Sequence, residues 1–501
     1  MQKNYMLAID AGTSACKVAV FDKAGTIIAS QTKDYPVYYP APGYVEQKPN
    51  EWWVASCEAI KDIFSSGTVE PKDIQAVGVD GQSWSCIPVD KSGNVLFNNP
   101  IWMDTRAAKI CEDIKVKIGE SEIFKISGNP FEPMYTTPKI LWFRQEYPDV
   151  FARTYKVLQS NSYFVYKLTG KFSQDTSQGY GLHFYNAYTN NWDIKLAEEF
   201  NIPLDLMCDI YMSHEVVGSV SEEASKATGL LTGTPVVAGG LDAACSTFGG
   251  GVAQPGQTQE QGGQAGGMSI CLDSCLTHKK LIMSTHVVPN RWLLQGGTVG
   301  GGGTLKWLRE TLLSSLKFSE MSDLASESPP GSNGVIFLPY MSGERSPIWD
   351  ENAKGVYFGL DYAKSKSDII RATMEGVAFA LLHNIKTAEE ADAYIINMNS
   401  VGGCANSTVW MQIKSDVTGK PMCVPSSDTA TTLGAAMLAG MGVGIYKDYR
   451  DAVDSTTIIK ATYEPNMKNH DKYQKFYDVY LELYEQLKNS MMKINELVST
   501  T

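Results

Sequence analysis

The hydrophobic pattern at the start of the chain predicts a β-meander. The apolar run MLAID is typical of a buried strand, GTSA of a turn and CKVAVFD of a second strand, and a turn at KAG leads into a third. Apolar residues at helical spacing then predict a helix over 49–64 with Asn50 as its N-cap, followed by a buried strand, IQAVGVDG. This alternation of strands and helices predicts an α/β layered fold.

The other end of the chain predicts a long amphipathic helix over about 465–498. Its apolar positions recur every three or four residues with charges between them: Phe476, Val479, Tyr480, Leu483, Leu487, Met491, Ile494 and Leu497. Packing on the body of the protein is the expected use of this face. A partner-binding helix, and with it a homodimer, stays open.

The length of 501 residues exceeds one ordinary core, so two large domains are expected. Among the 44 glycines, many fall in a nearly uncharged stretch over 229–267. Such a stretch is typical of a crossing between domains. We therefore place the boundary near Phe248, giving domains 1–248 and 249–501.

The formal net charge of -12 offers no electrostatic reason to bind nucleic acid or an anionic membrane. A small anion such as a nucleotide remains possible, because backbone N–H groups and a metal ion can hold it locally. No run of about 20 apolar residues occurs, and the ten scattered cysteines are typical of buried thiols in a reducing compartment. We expect a soluble, cytoplasmic protein.

Three turns carry candidate chemistry. The first is Asp10-Ala-Gly12-Thr13-Ser14, which combines a carboxylate for Mg²⁺ with hydroxyl and N–H groups for a phosphate, although an ordinary β-turn has the same composition. The second places Asp242 after Gly239-Gly240, where an acid in apolar surroundings becomes a general base or simply caps the next helix.

The third turn, over 402–406, puts two glycines where a strand leads into a helix. A nucleotide can lie against such a backbone at a helix N-terminus. Any tight strand-to-helix turn uses glycine in this way, so this turn alone does not identify a site.

Taken together in this order, the blocks resemble the FGGY carbohydrate kinases. They are IDAGTS at 9–14, YVEQKPNEWW at 44–53, PIWMDTRA at 100–107, GGLDAA at 239–244, SGERSPIWDENAKGVYFGL at 342–360 and GGCANSTVWMQI at 402–413. Two further stretches, 134–146 and 355–375, resemble the two signature patterns of the family. The resemblance runs from about residue 5 to about residue 445. The Glu-Gln and Trp-x-Asp-x-Arg blocks look most like the xylulokinase branch.

The resemblance implies two ribonuclease H-like domains of the actin and hexokinase type, with ATP and a sugar bound in the cleft between them. It implies transfer of the γ-phosphate of ATP to a hydroxyl of a ketopentose such as xylulose. Its catalytic base would be Asp242, and Asp10 would be the Mg²⁺-associated carboxylate. The ATP site would comprise Gly12, Thr13, Ser14, Lys17, Gly262, Gly263, Gly302, Lys306, Gly403 and Asn406. The sugar site would comprise Gln82, Ser83, Trp84, Asp104 and Asp242.

Two departures from the family pattern bear on the substrate. Gly262-Gly263-Gln264 lacks the usual threonine hydroxyl of the second phosphate loop, and Gly81-Gln82-Ser83-Trp84 has an indole where xylulokinases carry histidine. These departures leave two alternatives open: a kinase of another sugar or polyol, such as ribulose or a glycerol-like acceptor, and a catalytically weak nucleotide sensor of the same fold.

Overall fold

The computed structural model describes residues 4–426 and 429–499. Strands of the first half begin with the predicted meander: the first two strands are almost wholly buried inside the sheet, and the third is a mostly exposed strand at its edge. The strands are β1 (Tyr5–Ala11), β2 (Ala15–Phe21), β3 (Ile27–Asp34), β4 (Glu46–Gln47), β5 (Ile74–Gly81), β6 (Ile87–Val89), β7 (Asn99–Pro100), β8 (Lys156–Leu158), β9 (Gln174–Asp175), β10 (Tyr185–Asn186), β11 (Asn191–Trp192), β12 (Ile210–Tyr211), β13 (Val216–Ser219), β14 (Pro235–Val237) and β15 (Gly240–Leu241).

The second half repeats the plan. Its strands are β16 (Gln257–Gly262), β17 (Gly266–Leu272), β18 (Ile282–Thr285), β19 (Trp292–Thr298), β20 (Ile336–Leu338), β21 (Val356–Phe358), β22 (Asn397–Val401), β23 (Met422–Pro425) and β24 (Ile459–Tyr463). The two large sheets have the orders β13-β14-β5-β1-β2-β3, with β15 also on β5, and β18-β19-β17-β16-β22-β23-β24. In each sheet an antiparallel meander adjoins parallel strands, as expected for a duplicated ribonuclease H-like unit.

Helices cover the sheets. Those of the first half are α1 (Pro49–Ser65), α2 (Ala108–Ile114), α3 (Glu120–Ser127), α4 (Thr136–Glu146), α5 (Pro148–Arg153), α6 (Ser160–Thr169), α7 (Ile194–Glu199), α8 (Glu222–Thr228) and α9 (Asp242–Gly249). Those of the second half are α10 (Gly302–Leu312), α11 (Phe318–Glu327), α12 (Lys366–Glu389), α13 (Thr408–Thr418), α14 (Ala430–Gly442), α15 (Tyr449–Thr456) and α16 (Met467–Ser499). None of the described helices is long and apolar enough to cross a membrane.

Helix α14 belongs to the second half of the sequence but packs on β1 and β5 of the first sheet. Its approach is close, since a Cβ added at Gly78 would lie 2.0 Å from the carbonyl oxygen of Ala435. The chain thus returns to the first sheet before β24 adds the last strand to the second. A boundary near Phe248 stays a prediction.

Two predicted details were wrong. Helix α1 begins at Pro49 with Lys48 in the cap position, so Asn50 is already helical, because proline is favoured in the first turn. On α16, three of the eight residues predicted for the packing face are exposed: Val479, Ile494 and Leu497. The other five are buried in the core of the second half or packed against it. Tyr473 and Tyr477, which lie outside the predicted set, are buried there as well, because their rings are apolar.

Candidate active site

Three carboxylates meet at the ends of neighbouring strands in the first sheet. Asp10 on β1 lies beside Asp80 on the parallel strand β5. Strand β15 also pairs with β5, with Gly240 opposite Asp80, and Asp242 follows as the first residue of α9. Because parallel strands bring their carboxyl ends to one edge, residues far apart in sequence form one acidic site.

Burial raises the pKa of all three acids. The pKa of Asp80 rises well above its ordinary value through burial and then through the charge of Asp10, and the pKa of Asp10 is raised by burial against the lowering effects of Asp80 and Lys17. Burial, followed by the charge of Asp10, raises the pKa of Asp242 to about 7. A carboxyl group with this pKa can accept a proton near neutral pH.

These carboxylates fit a magnesium ion held jointly with phosphate. Both carboxylate oxygens of Asp80 are buried and receive no hydrogen bond from a donor group, so they either share a proton with Asp10 or bind a cation. Across the described ranges, no group of three or more His, Cys, Asp or Glu side chains could hold a metal by itself. This combination suits Mg²⁺, which typically takes one or two carboxylates and completes its shell with water and phosphate oxygens.

The hairpin turn between β1 and β2 is held in place by two glutamines. The side-chain amide of Gln82 donates to Gln47 Oε1 at 2.7 Å, and that of Gln47 donates to the carbonyl oxygen of Thr13 at 2.6 Å. Lys17 on β2 lies opposite Asp10, and burial lowers its pKa while the Asp10 charge opposes the shift. The structure thus brings Gly12, Thr13, Ser14 and Lys17 next to the acids.

An aromatic pocket lies beside the carboxylates. The Trp84 ring centroid is 4.3 Å from that of Tyr135 and 5.8 Å from that of Tyr180, while Tyr180 interacts with Ser83 and with the charge of Asp242. Trp84 has φ of 56°, a left-handed conformation that is strained for a bulky residue, and Lys139 Nζ donates to its carbonyl oxygen at 2.8 Å. Four of the predicted sugar residues therefore lie close together in the structure: Gln82, Ser83, Trp84 and Asp242.

Asp104 differs from the other predicted sugar residues. Its carboxylate is fully buried, accepts the backbone N–H of Val45 at 2.6 Å and pairs with Arg106 at 2.7 Å. Arg106 in turn stacks on Tyr44 and Trp142. These contacts favour a positioning role for Asp104. The nearby Trp102 contacts the hairpin turn directly, because its Nε1 donates to Thr13 Oγ1 at 3.0 Å. Direct contact of Asp104 with a sugar stays a prediction.

A separate cavity of about 730 Å³ lies in the second half. Six of the predicted ATP residues line it together with Trp410, Phe318 and Cys404: Gly262, Gly263, Gly302, Lys306, Gly403 and Asn406. Two backbone bonds join its loops, from Gly302 N to Gly263 O at 2.7 Å and from Gly303 N to Gln264 O at 3.0 Å. Its size and mixed lining suit a nucleoside, and the binding roles of these residues stay predictions.

The missing threonine hydroxyl leaves space in this cavity. A Cβ added at Gly263 would meet only the carbonyl oxygen of Ala265, at 3.7 Å, and the side chain of Gln264 lies against Gly303 at the start of α10. The backbone of this loop therefore has room to approach a phosphate closely.

Sequence reasoning missed Asp80, Gln47 and the pocket tyrosines Tyr135 and Tyr180. Asp80 ends the predicted strand IQAVGVDG just as Asp10 ends MLAID, and this parallel could have pointed to it. The tyrosines show no local pattern, because they come from separate loops that only the fold brings together.

Comparison with known proteins places this geometry in a family. Residues 5–249 match the N-terminal domain of the FGGY family of carbohydrate kinases, and residues 276–443 match its C-terminal domain. The chain therefore belongs to this family and is an enzyme that transfers phosphate to a carbohydrate. The predicted family and fold class are confirmed.

Several individual proteins are similar to this chain over nearly its whole length. The chain is 31% identical to a xylulose kinase of Staphylococcus epidermidis over 490 residues, covering 97% of this chain and 98% of that protein. A ligand-bound xylulose kinase from Lactobacillus acidophilus has a TM-score of 0.90 at 27% identity, with 98% of this chain and 100% of that chain covered. A gluconate kinase from Lactobacillus acidophilus also has a TM-score of 0.90 at 27% identity, with coverage of 98% and 99%.

Proposed function

We propose that this carbohydrate kinase phosphorylates a terminal hydroxyl of a ketopentose such as xylulose, with ATP as the donor. The observation that carries the proposal is Asp242, a buried carboxyl group with a pKa raised to about 7, which lies with the proposed phosphate-binding turn and beside the aromatic side chains Trp84, Tyr135 and Tyr180. Similarity to xylulose kinases over nearly the whole chain supports the ketopentose.

In this mechanism the acceptor hydroxyl oxygen attacks the γ-phosphorus while the bond to the ADP oxygen breaks. Asp242 accepts the hydroxyl proton, and the hairpin turn with Lys17 orients the transferred phosphate. We propose that Asp10 and Asp80 hold Mg²⁺, which neutralises phosphate charge. Aromatic side chains around Trp84 exclude water, which would otherwise accept the phosphate.

The nucleoside is proposed to occupy the 730 Å³ cavity of the second half, with Lys306 and Asn406 in its lining. Gly262, Gly263, Gly302 and Gly403 would let the backbone lie against the nucleotide. We also infer action in the cytoplasm, because all ten cysteines are free thiols and ATP is the donor.

The test is ADP release by the purified enzyme with Mg²⁺ATP and a panel of 2-ketopentoses, aldoses, polyols and aldonates. A kcat/KM at least tenfold higher for a 2-ketopentose than for every other class is expected. Preference for an aldonate would instead favour the gluconate kinase likeness. No acceptor-stimulated ADP release, with ATP still bound in calorimetry, would favour the nucleotide sensor.

A further inference from the structure

The loop between β20 and β21 carries Arg345, whose guanidinium has no hydrogen-bond acceptor among the residues that the structure describes. Arg345 donates its backbone N–H to Glu344 Oε1 at 2.7 Å, and the same oxygen accepts Val299 N at 2.7 Å. The guanidinium of Arg345 forms neither an ion pair nor a hydrogen bond within residues 4–426 and 429–499, although its side chain is partly buried. Burial lowers the pKa of Arg345 against the opposing charge of Glu344, so the cation has a neighbouring counter-charge. Its N–H groups still have no acceptor among the described residues, and an acceptor atom of a ligand would satisfy them.

The guanidinium reaches from the second half of the chain to aromatic residues of the first. Its Cζ lies 6.0 Å from the ring centroid of Trp102, and its charge acts on Tyr135 and Tyr180 of the aromatic pocket. Gly297 on β19 makes room for it, because a Cβ there would come within 3.1 Å of Cζ. The arginine is thus held at the wall of the proposed acceptor pocket.

Asp242 and Arg345 approach Tyr180 as opposite charges. Burial raises the pKa of Tyr180, the hydrogen bond with Ser83 and the charge of Arg345 oppose the rise, and the charge of Asp242 adds to it. Tyr180 is thus within reach of both the carboxylate and the guanidinium. The indole N–H of Trp84, buried and without a hydrogen-bond partner in the described chain, adds an unused donor.

We propose that Arg345 binds an sp² oxygen of the acceptor, at the end away from the phosphorylated hydroxyl. This oxygen is the carbonyl of an open-chain 2-ketose, which accepts N–H groups at one oxygen, or the carboxylate of an aldonate, to which a guanidinium donates two parallel N–H groups. Polyols lack such an oxygen and gain nothing from Arg345. The inference rests on the proposed function and adds a specificity residue contributed across the cleft.

The test compares Arg345→Met and Arg345→Lys with wild type on three acceptors: a 2-ketopentose, the pentitol made by reducing its carbonyl, and a six-carbon aldonate. Arg345→Met should raise KM for the ketopentose at least tenfold, while KM for the pentitol and for ATP stays within twofold. The lysine variant should recover part of the loss, and the effect on the aldonate should exceed that on the ketopentose if its carboxylate is the natural ligand. Arg153→Met, at an exposed arginine on α5, is the matched control.

Gly297→Ala provides an independent variant, because it displaces the guanidinium without removing its charge. It should reproduce the KM increase for the ketopentose in weaker form. Equal losses on ketopentose and pentitol would overturn the proposal, as would an increase in the KM for ATP or a lower Tm that accounts for the loss. Calorimetric Kd values for the ketopentose and the aldonate test Arg345 even without turnover: binding unchanged in Arg345→Met would refute its role, whereas an inactive wild type that still binds would refute only the proposed function.

Discussion

At the scale of single residues, the proposed mechanism makes the rate depend on the charge state of Asp242. Burial and the charge of Asp10 raise its pKa to about 7, and only its ionised form accepts a proton. We expect kcat/KM for the acceptor to fall tenfold per pH unit on the acid side of an inflection near or below pH 7, because Mg²⁺ beside Asp10 offsets part of its charge. Initial rates at saturating Mg²⁺ATP between pH 5.5 and 8.5 measure this. A flat profile over that range would contradict it.

Replacing the base itself gives a second outcome. Asp242→Asn keeps the size of the side chain and removes proton acceptance, so kcat should fall by about 10²–10⁴. The Kd for ATP should change little, since the nucleotide cavity lies in the second half. Single-turnover kinetics and calorimetry separate these two effects. A kcat within tenfold of wild type would remove Asp242 from the role of base.

Asp10 and Asp242 could be picked out from the sequence, and the structure brings them to one edge of the first sheet, whereas their roles stay predictions. Each lies at or just after the end of an apolar strand with a glycine two residues away, a pattern that is visible without the fold. The place of Asp80 in the site follows only from the pairing of β5 with β1. That of Arg345 follows only from its contact with Trp102, which is more than 200 residues away in the sequence. Non-local contacts of this kind leave no periodic pattern in one sequence.

At the scale of elements, a buried ion pair joins β16 to α13 beside the nucleotide cavity. Lys414 Nζ lies 2.6 Å from Glu260 Oε1, both side chains are almost completely buried, and Ser400 on β22 donates to the other carboxylate oxygen of Glu260. Gly262, which lines the cavity, follows Glu260 by two residues. The pair therefore fixes the strand from which the phosphate loop departs.

Lys414→Met should destabilise the protein by about 3–5 kcal/mol, because it leaves Glu260 buried without a counter-charge. Thermal unfolding should show a Tm decrease on the order of 5–10 °C. The same substitution at Lys109, whose ion pairs with Glu112 and Asp113 are exposed, is the control and should change Tm little. Adding Glu260→Gln to the Lys414→Met variant should restore part of the loss. Equal Tm values for the two lysine variants would contradict the prediction.

Elements were predicted more reliably by type than by boundary or facing. The meander, α1 and α16 follow directly from periodicity, since their apolar residues need one buried face. The packing face of α16 was predicted in part. Tyr480, whose hydroxyl accepts from that of Tyr340 at 2.7 Å, is buried as predicted, whereas Val479, Ile494 and Leu497 are exposed. The packing of α14 on the first sheet depends on close backbone contact at Gly78 that no local pattern reveals.

At the scale of the whole molecule, the proposed acceptor pocket is assembled from both halves. Trp102 and Tyr180 come from the first half, Asp242 follows β15, and Arg345 comes from the second half, which also holds the proposed nucleotide cavity. A ligand that contacts both halves stabilises their approach, and this approach brings the phosphate donor towards the acceptor. Binding of the two substrates should therefore be coupled.

The coupling predicts synergy in thermal stability. A non-hydrolysable ATP analogue and the acceptor, added together, should raise Tm by more than the sum of their separate shifts, because a coupling free energy of about 1–3 kcal/mol adds to the two binding terms. Differential scanning fluorimetry at saturating concentrations measures the excess. It should shrink in Arg345→Met, where the contact across the cleft is lost, and persist in Arg153→Met. Strictly additive shifts in the wild type would show that the two halves bind their substrates independently.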